Sequence, residues 1–280
     1  SGGVLGVLIP PSNPLIVYGV ITSASIGDLF IAGIVPGLLM SFLMMGTVFL
    51  ISQVRGYAGG NAFHVRALAV SIWNGKYSLM MPVIVLGGIY TGMVTPVEAA
   101  VVAVLYALVV AMLVKRTLTF RGLWDCFTES STVCGGLTII MGTAVLFGEY
   151  MTMNMIPQSL AAFIIEFVSS KYTLLIIICI FLLIIGTFME TLATTMILTP
   201  ILLPVITTFD IDVIQFGVIM VVTNAIGMLT PPLGLNLFVA CNLTGLSLEQ
   251  VSSQVIPFIC ALILGLALIA FIPWLSLVLL

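Results

Sequence analysis

Charge is what this sequence has least of. Only 6% of its 280 residues are charged, seven of them basic and ten acidic. A soluble domain carries about a quarter charged residues, so this composition cannot build a water-facing globular surface. Seven Lys and Arg do not make the basic face that nucleic acids require. The single histidine, His64, falls in a polar loop, which removes most histidine-based catalysis. The five cysteines, at 126, 134, 179, 241 and 260, stand singly without CxxC spacing, so neither a disulfide framework nor a zinc site is expected. The first residues, Ser1-Gly2-Gly3, bring no basic n-region and no cleavage site, so no signal peptide is recognised. Linkers and low-complexity tracts are also missing.

What the chain has in abundance is apolar length: 61% of residues are hydrophobic and the mean hydropathy is +1.35. This composition is that of a polytopic helical membrane protein. A span needs roughly 20 apolar residues, and 29–52, 77–92, 97–114, 135–153, 172–190 and 255–279 qualify, with a further apolar stretch at 192–208. Residues 1–23 and 213–244 differ, because Pro10-Pro11 and Pro231-Pro232 interrupt them midway. A proline pair has no N–H to donate and ends the helix before it. In lipid the freed carbonyls must be satisfied by protein, water or an ion. Both stretches therefore read as re-entrant hairpins or broken helices.

Six of the seven basic residues lie between 55 and 121: Arg55, Arg66, Lys76, Lys115, Arg116 and Arg121. The positive-inside rule makes both loops they occupy cytoplasmic. The chain between them must cross an even number of times, turning at Met93-Val94-Thr95-Pro96. Trp73, Trp124 and Trp274 sit near expected span ends, as interfacial anchors do. Phe120, Leu123, Trp124 and Phe127 share one helical face, which suits a helix lying in the interface over 120–134.

The chain also repeats itself. Ile9-Pro10-Pro11 recurs as Thr230-Pro231-Pro232, 221 positions later, and at the same offset Asp28 meets Glu249 and Pro36 meets Pro257. Each proline pair leads to an apolar arm, then a helix start bearing an acid, then a span broken by proline. Repeated discontinuous helices point to a secondary transporter whose substrate and ions bind near the midplane. Before the second pair lie a full span, a Pro-rich helix and a hairpin arm, whereas only nine residues precede the first. The chain thus reads as a C-terminal fragment, with the organisation 1–26, second arm of the first hairpin; 27–134, spans, basic loops and interfacial helix; 135–212, further spans; 213–246, second hairpin; 247–280, a last span.

Few residues are left to carry chemistry. Ser12 or Asn13 is placed as an N-cap ahead of Pro14, and Thr230 as a cap ahead of Pro231. Either these serve only as caps, or helix N-termini at the breaks face an anionic substrate while broken-backbone carbonyls hold Na⁺. Thr95-Pro96-Val97-Glu98 fits a capping box, which explains Glu98 structurally. Asp28 and Glu249 read as dipole compensation at helix starts. Glu190 follows an apolar span and leads a polar stripe of Thr191, Thr194 and Thr195. It is either an intramembrane functional carboxylate or a headgroup-level residue. Glu149 and Glu166 read as solvated at span ends. Gly33-xxx-Gly37 and Gly88-xxx-Gly92 read as close helix packing.

Three segments resemble one known family. Gly6-Val7-Leu8-Ile9-Pro10-Pro11-Ser12-Asn13-Pro14 looks like the first hairpin tip of the large membrane (M) subunit of tripartite ATP-independent periplasmic (TRAP) transporters. Gly87-Gly88-Ile89-Tyr90-Thr91-Gly92 with Thr95-Pro96-Val97-Glu98-Ala99-Ala100 resembles that subunit's central signature, with Val97 where Thr is common. Gly227-Met228-Leu229-Thr230-Pro231-Pro232-Leu233-Gly234 resembles the second tip. Order and spacing agree from residue 1 to 280. The resemblance implies an all-α, ion-transporter-like elevator fold with inverted repeats and two re-entrant hairpins, the first truncated here. It further implies a Na⁺-coupled importer in the bacterial inner membrane, working with a small four-helix membrane subunit and a periplasmic substrate-binding protein that delivers small organic anions. Na⁺, the coupling ion, would be held at Gly6, Ile9 and Pro11 and at Gly227, Thr230 and Leu233. Substrate would sit near Ser12, Asn13, Glu190, Thr191, Gly234 and Asn236. Many relatives carry Asp where Glu190 stands. Neither a further cofactor nor an enzymatic activity is implied.

Other readings meet specific obstacles. A sodium:dicarboxylate symporter working without a binding protein would share the architecture and differ in uptake once that protein is omitted. For an intramembrane aspartyl protease, Ile26-Gly27-Asp28 approaches a Gly-x-Gly-Asp motif, but Ser25 replaces the first Gly and no Tyr-Asp partner exists. A non-transporting scaffold subunit would tolerate changes at Thr230 or Glu190.

Overall fold

The protein's computed structural model describes residues 2–56, 64–156, 159, 168, 170–231 and 234–280. All regular structure among them is helical: α1 (Gly3–Leu8), α2 (Asn13–Thr22), α3 (Ile26–Arg55), α4 (Val65–Tyr90), α5 (Pro96–Leu108) continued by a π-helical turn (Val109–Val114), α6 (Phe120–Met153), α7 (Lys171–Phe188), α8 (Thr191–Thr208), α9 (Val213–Gly227), α10 (Leu235–Thr244), α11 (Leu248–Phe271) and α12 (Trp274–Leu277). Among the described residues seven segments are long and apolar enough to cross a membrane, one of them being α1 and α2 taken together. The chain divides into two compact units, residues 1–55 with 141–280, and residues 56–140.

The larger unit is built around α9. Every residue from Gln215 to Gly227 is buried, because α1, α2, α3, α7, α8, α11 and α12 all pack on it. Fifteen residues at 1.5 Å each reach about 22 Å, short of the ~30 Å hydrocarbon thickness. Two long-range hydrogen-bonding side chains fix its position. The Tyr18 hydroxyl donates to the Val213 carbonyl at 2.7 Å, and the Gln215 amide donates to the carbonyls of Ile269 and Ala270 at 3.2 Å each. Where α9 crosses α7, two glycines meet: a Cβ on Gly227 would lie 2.7 Å from the Gly186 backbone.

Both proline pairs break their helices. α1 stops at Leu8 and α2 starts at Asn13, with Ser12 as its N-cap and Pro14 in the first turn. α9 stops at Gly227 and α10 starts only at Leu235. The registered partners reappear in equivalent places: Asp28 and Glu249 in the first turns of α3 and α11, Pro36 and Pro257 inside those helices.

Several expectations need adjusting. Thr230 does not cap the helix after the second break; Gly234, at φ +44°, holds that position, because two prolines delay the restart. The interfacial segment 120–134 and the span 135–153 form one helix, α6. Gly92 takes φ +69° with no neighbour at its Cβ position, whereas a Cβ on Gly88 would lie 2.7 Å from the Val94 side chain, so the pair packs the turn that ends α4 rather than a helix crossing. Gly33 and Gly37 do pack closely, against the Leu8 carbonyl and the Ile9 side chain. The Thr95–Glu98 capping box is present, with the Thr95 N–H donating to the Glu98 carboxylate at 2.7 Å. His64 stands ahead of α4 as its N-cap residue without a side-chain capping bond. Glu149 is exposed on α6, whereas Glu166 lies outside the described residues.

Candidate functional site

Proline chemistry creates the site. Carbonyls of Gly6 and Val7 would pair with the N–H groups four residues on, at Pro10 and Pro11, which have none. Val7 is compensated by the Ser12 hydroxyl, which donates to its carbonyl while its oxygen also accepts from the Leu15 N–H. Beside this break runs a cleft of about 200 Å³, bordered by Gly6, Pro11, Asn13, Glu190, Thr191 and Met228 among others. α2 and α8 pack together, and the residues that open them, Asn13 and Thr191, both border the cleft. Glu190 precedes α8 without a side-chain capping bond and is exposed. The first N–H groups of α8 therefore have no side-chain partner at this position.

Among the described residues the cleft is lined by one carboxylate and no basic side chain. Within the larger unit the basic residues are Arg55 and Lys171. Lys171 opens α7 fifteen residues before Gly186, and Arg55 ends α3 eighteen residues after Gly37. At 1.5 Å per residue they stand about 22 and 27 Å along their helices from those two glycines. What the described lining would offer an anion is helix N-termini and backbone dipoles rather than Lys or Arg.

Of the residues the sequence singled out, the structure brings Gly6, Pro11, Asn13, Glu190 and Thr191 to one cleft. Ile9 lies beside it, packed on Gly37. Ser12 is buried and spent on the break itself. Among the described residues of the second break, Met228 lines the cleft and Gly227, Thr230, Gly234 and Asn236 do not. Gly227 packs on Gly186, and the Thr230 hydroxyl donates to the Ile226 carbonyl at 3.1 Å. Gly234 starts α10. The Asn236 N–H donates to the Met228 carbonyl at 3.2 Å, with its side chain against Gly3. Leu233 lies outside the described residues.

Sequence reasoning missed Met228 and Asn224. α8 and α9 are antiparallel across a short turn, and two contacts set their register: Thr191 hydroxyl to Met228 sulfur at 3.1 Å, Thr199 hydroxyl to Met220 sulfur at 3.5 Å. The same register sets Asn224 at the level of Thr195. Asn224 is fully buried, and neither polar atom of its side chain has a hydrogen-bond partner. The threonines at 191, 195 and 199 and the polar or sulfur residues at 220, 224 and 228 recur every fourth position, a signal available in the sequence.

Residues 1–275 match the model of the DctM component of the tripartite ATP-independent periplasmic transporter. The chain belongs to the DctM family. Curated relatives agree. It is 42% identical over 98% of its length to an isethionate TRAP transporter permease protein of Oleidesulfovibrio alaskensis, of which it covers 43%. It is 39% identical over its whole length to a C4-dicarboxylate TRAP transporter large permease protein of Pseudomonas aeruginosa, covering 65% of it. A sialic acid TRAP transporter large permease protein of Vibrio cholerae is 36% identical over 99% of the chain, which covers 65% of that protein. The chain thus spans between two-fifths and two-thirds of these relatives' length. DctM proteins are transporter permeases of the inner membrane and not enzymes, so the protease reading is set aside.

Proposed function

We propose that this chain forms the substrate-translocating part of the large permease subunit of a Na⁺-coupled, binding-protein-dependent importer of small organic anions. The observation that carries this reading is the cleft where the first proline break, two helix N-termini and Glu190 meet. Backbone carbonyls of Gly6, Ile9 and Pro11, and of Gly227, Thr230 and Leu233, would supply hard oxygen donors suited to Na⁺. The unpartnered amide of Asn224, one turn before the second break, adds a buried oxygen in the same unit. Na⁺ bound at the breaks orders them around a carboxylate or sulfonate held near Ser12, Asn13, Glu190, Thr191, Gly234 and Asn236. The hairpin unit then carries both across by an elevator movement. A small four-helix membrane subunit supports it, and a periplasmic binding protein delivers the substrate.

The test is uptake into proteoliposomes holding the full-length permease and its small subunit, with the binding protein added outside. An inward Na⁺ gradient should drive accumulation of a C4-dicarboxylate, sialic acid, sugar acid or hydroxy-sulfonate. Accumulation that ignores the gradient would overturn the coupling. Equal uptake without the binding protein would favour the two-component symporter instead. Thr230→Val should flatten the Na⁺ response, and an unchanged response would remove Thr230 from the site.

A further inference from the structure

The smaller unit, residues 56–140, holds a second cleft that the transport reading does not use. It has about 360 Å³ and lies between α4 and the end of α5, bordered by Tyr77, Ser78, Tyr106, Val110, Lys115 and Thr117 among others. The Tyr106 hydroxyl donates to the Tyr77 carbonyl at 2.8 Å and ties the two helices there. α5 then widens into its π-helical turn, Val109–Val114, a departure that recurs at functional sites. Beyond it the chain folds back. Arg116 takes a left-handed φ of 51°, and the N–H groups of Thr117 and Leu118 both donate to the Ala111 carbonyl, at 2.9 and 3.2 Å. This reversal places Lys115 and Thr117 at the rim of the cleft.

Charge and depth point the same way. Among the described residues no acid lines the cleft. Glu98, at the start of α5, is seventeen residues before Lys115, about 25 Å along the helix, and its carboxylate is engaged by Thr95. Directly before Tyr77 on α4, the Lys76 ammonium lies over the Trp73 ring at 4.0 Å and over the Tyr77 ring at 5.1 Å. A Trp–Lys pair at a span end marks the level of lipid headgroups. Beside this level the lining is apolar at Ala107 and Val110, and inward of it at Met81, and both helices expose apolar side chains such as Val83, Leu105 and Val109. We propose that this cleft binds the phosphate headgroup of an anionic phospholipid: the Lys115 ammonium and the hydroxyls of Ser78 and Thr117 take the phosphodiester, and the apolar floor takes the glycerol end. Basic clefts between spans on the cytoplasmic side suit such headgroups.

The test is native mass spectrometry of the delipidated full-length permease with its small subunit, titrated with phosphatidylglycerol or phosphatidylcholine. One phosphatidylglycerol should be retained in clear preference to phosphatidylcholine. Lys115→Gln should weaken that retention about fivefold, the share of one lysine near anionic headgroups, while Lys115→Arg keeps it. Arg121→Gln and Arg66→Gln should leave it unchanged, and matching melting temperatures would show that all variants are folded. Equal retention of the two lipids would overturn the proposal, as would an equal loss in the Arg121 and Arg66 variants, which would mean diffuse surface attraction. Displacement by millimolar inorganic phosphate would make it a free-anion site. Lipid retained by the isolated permease and lost in the complex would mean that a protein partner fills the cleft.

Discussion

At the first proline break four residues, Ile9 to Ser12, separate α1 from α2; at the second, seven residues, Met228 to Gly234, separate α9 from α10. The covalent instruction is the same, a pair of residues without N–H groups. The restart beyond each pair is not. Ser12 caps at once, and Pro14 has its φ preset for the first turn, so α2 begins immediately. After Pro231-Pro232 no such cap is at hand, and the chain passes through a left-handed Gly234 before α10 begins. Surroundings differ as well: Gly6, Val7 and Pro11 around the first break border the cleft with Glu190, whereas Met228 alone of the described second-break residues reaches it, and the helix entering the second is buried from Gln215 to Gly227. A repeat in sequence therefore encodes the break, and packing decides what the break is exposed to.

The sharpest way to probe this contrast is to put side chains on the glycines. Gly227→Leu should have the largest effect. Its Cβ would lie 2.7 Å from both the carbonyl carbon and the Cα of Gly186, and 3.0 Å from the Leu183 carbonyl. Those are backbone atoms, so α7 and α9 must separate. We expect a loss of about 3 kcal/mol or more, the upper end for overpacking, read as lost monodisperse yield and a lower melting temperature in detergent. A variant that melts like the parent would show that the two helices do not cross there.

Next in size is a functional effect without a structural one. Glu190 is exposed and makes no side-chain cap to α8, so Glu190→Gln should leave melting unchanged. Na⁺-driven uptake should fall about tenfold, the rate equivalent of roughly 1.4 kcal/mol. Full activity would move the substrate away from the first break. Smaller again is Ser12→Ala, which removes both the cap of α2 and the donor to Val7. Loss of an N-cap costs about 1 kcal/mol, and the melting temperature should fall accordingly. If it does not, another group satisfies the Val7 carbonyl.

Much of this arrangement was legible beforehand, because its causes are local. Proline pairs break helices wherever they stand, so 1–23 and 213–244 were readable as interrupted. Thr95 and Glu98 are three residues apart and made their capping box as expected. The cleft was half legible: Asn13, Glu190 and Thr191 could be named, but Met228 enters through the register between α8 and α9, which two helices set jointly. The α7–α9 glycine crossing was invisible for the same reason. Gly186 and Gly227 lie in separate segments, and nothing near either in sequence states that they meet. Gly88-xxx-Gly92 shows the converse error. Its spacing suggested a crossing, yet Gly92 is spent on a left-handed turn.

Gly6 gives the smallest expected effect and the finest test. Like Gly227 it is a glycine shortly before a proline break, but a Cβ there meets nothing within 4 Å because it points toward open space rather than into a neighbouring helix. Gly6→Ala should therefore keep or slightly raise the melting temperature, since Ala is better than Gly within a helix by about 0.5–1 kcal/mol. The added methyl would nonetheless stand at the border of the cleft, so any loss should fall on substrate or Na⁺ affinity alone. Stability and transport would then separate at Gly6 and fall together at Gly227. A melting temperature that drops with Gly6→Ala would mean that the first break is packed like the second, and the distinction between them would be lost.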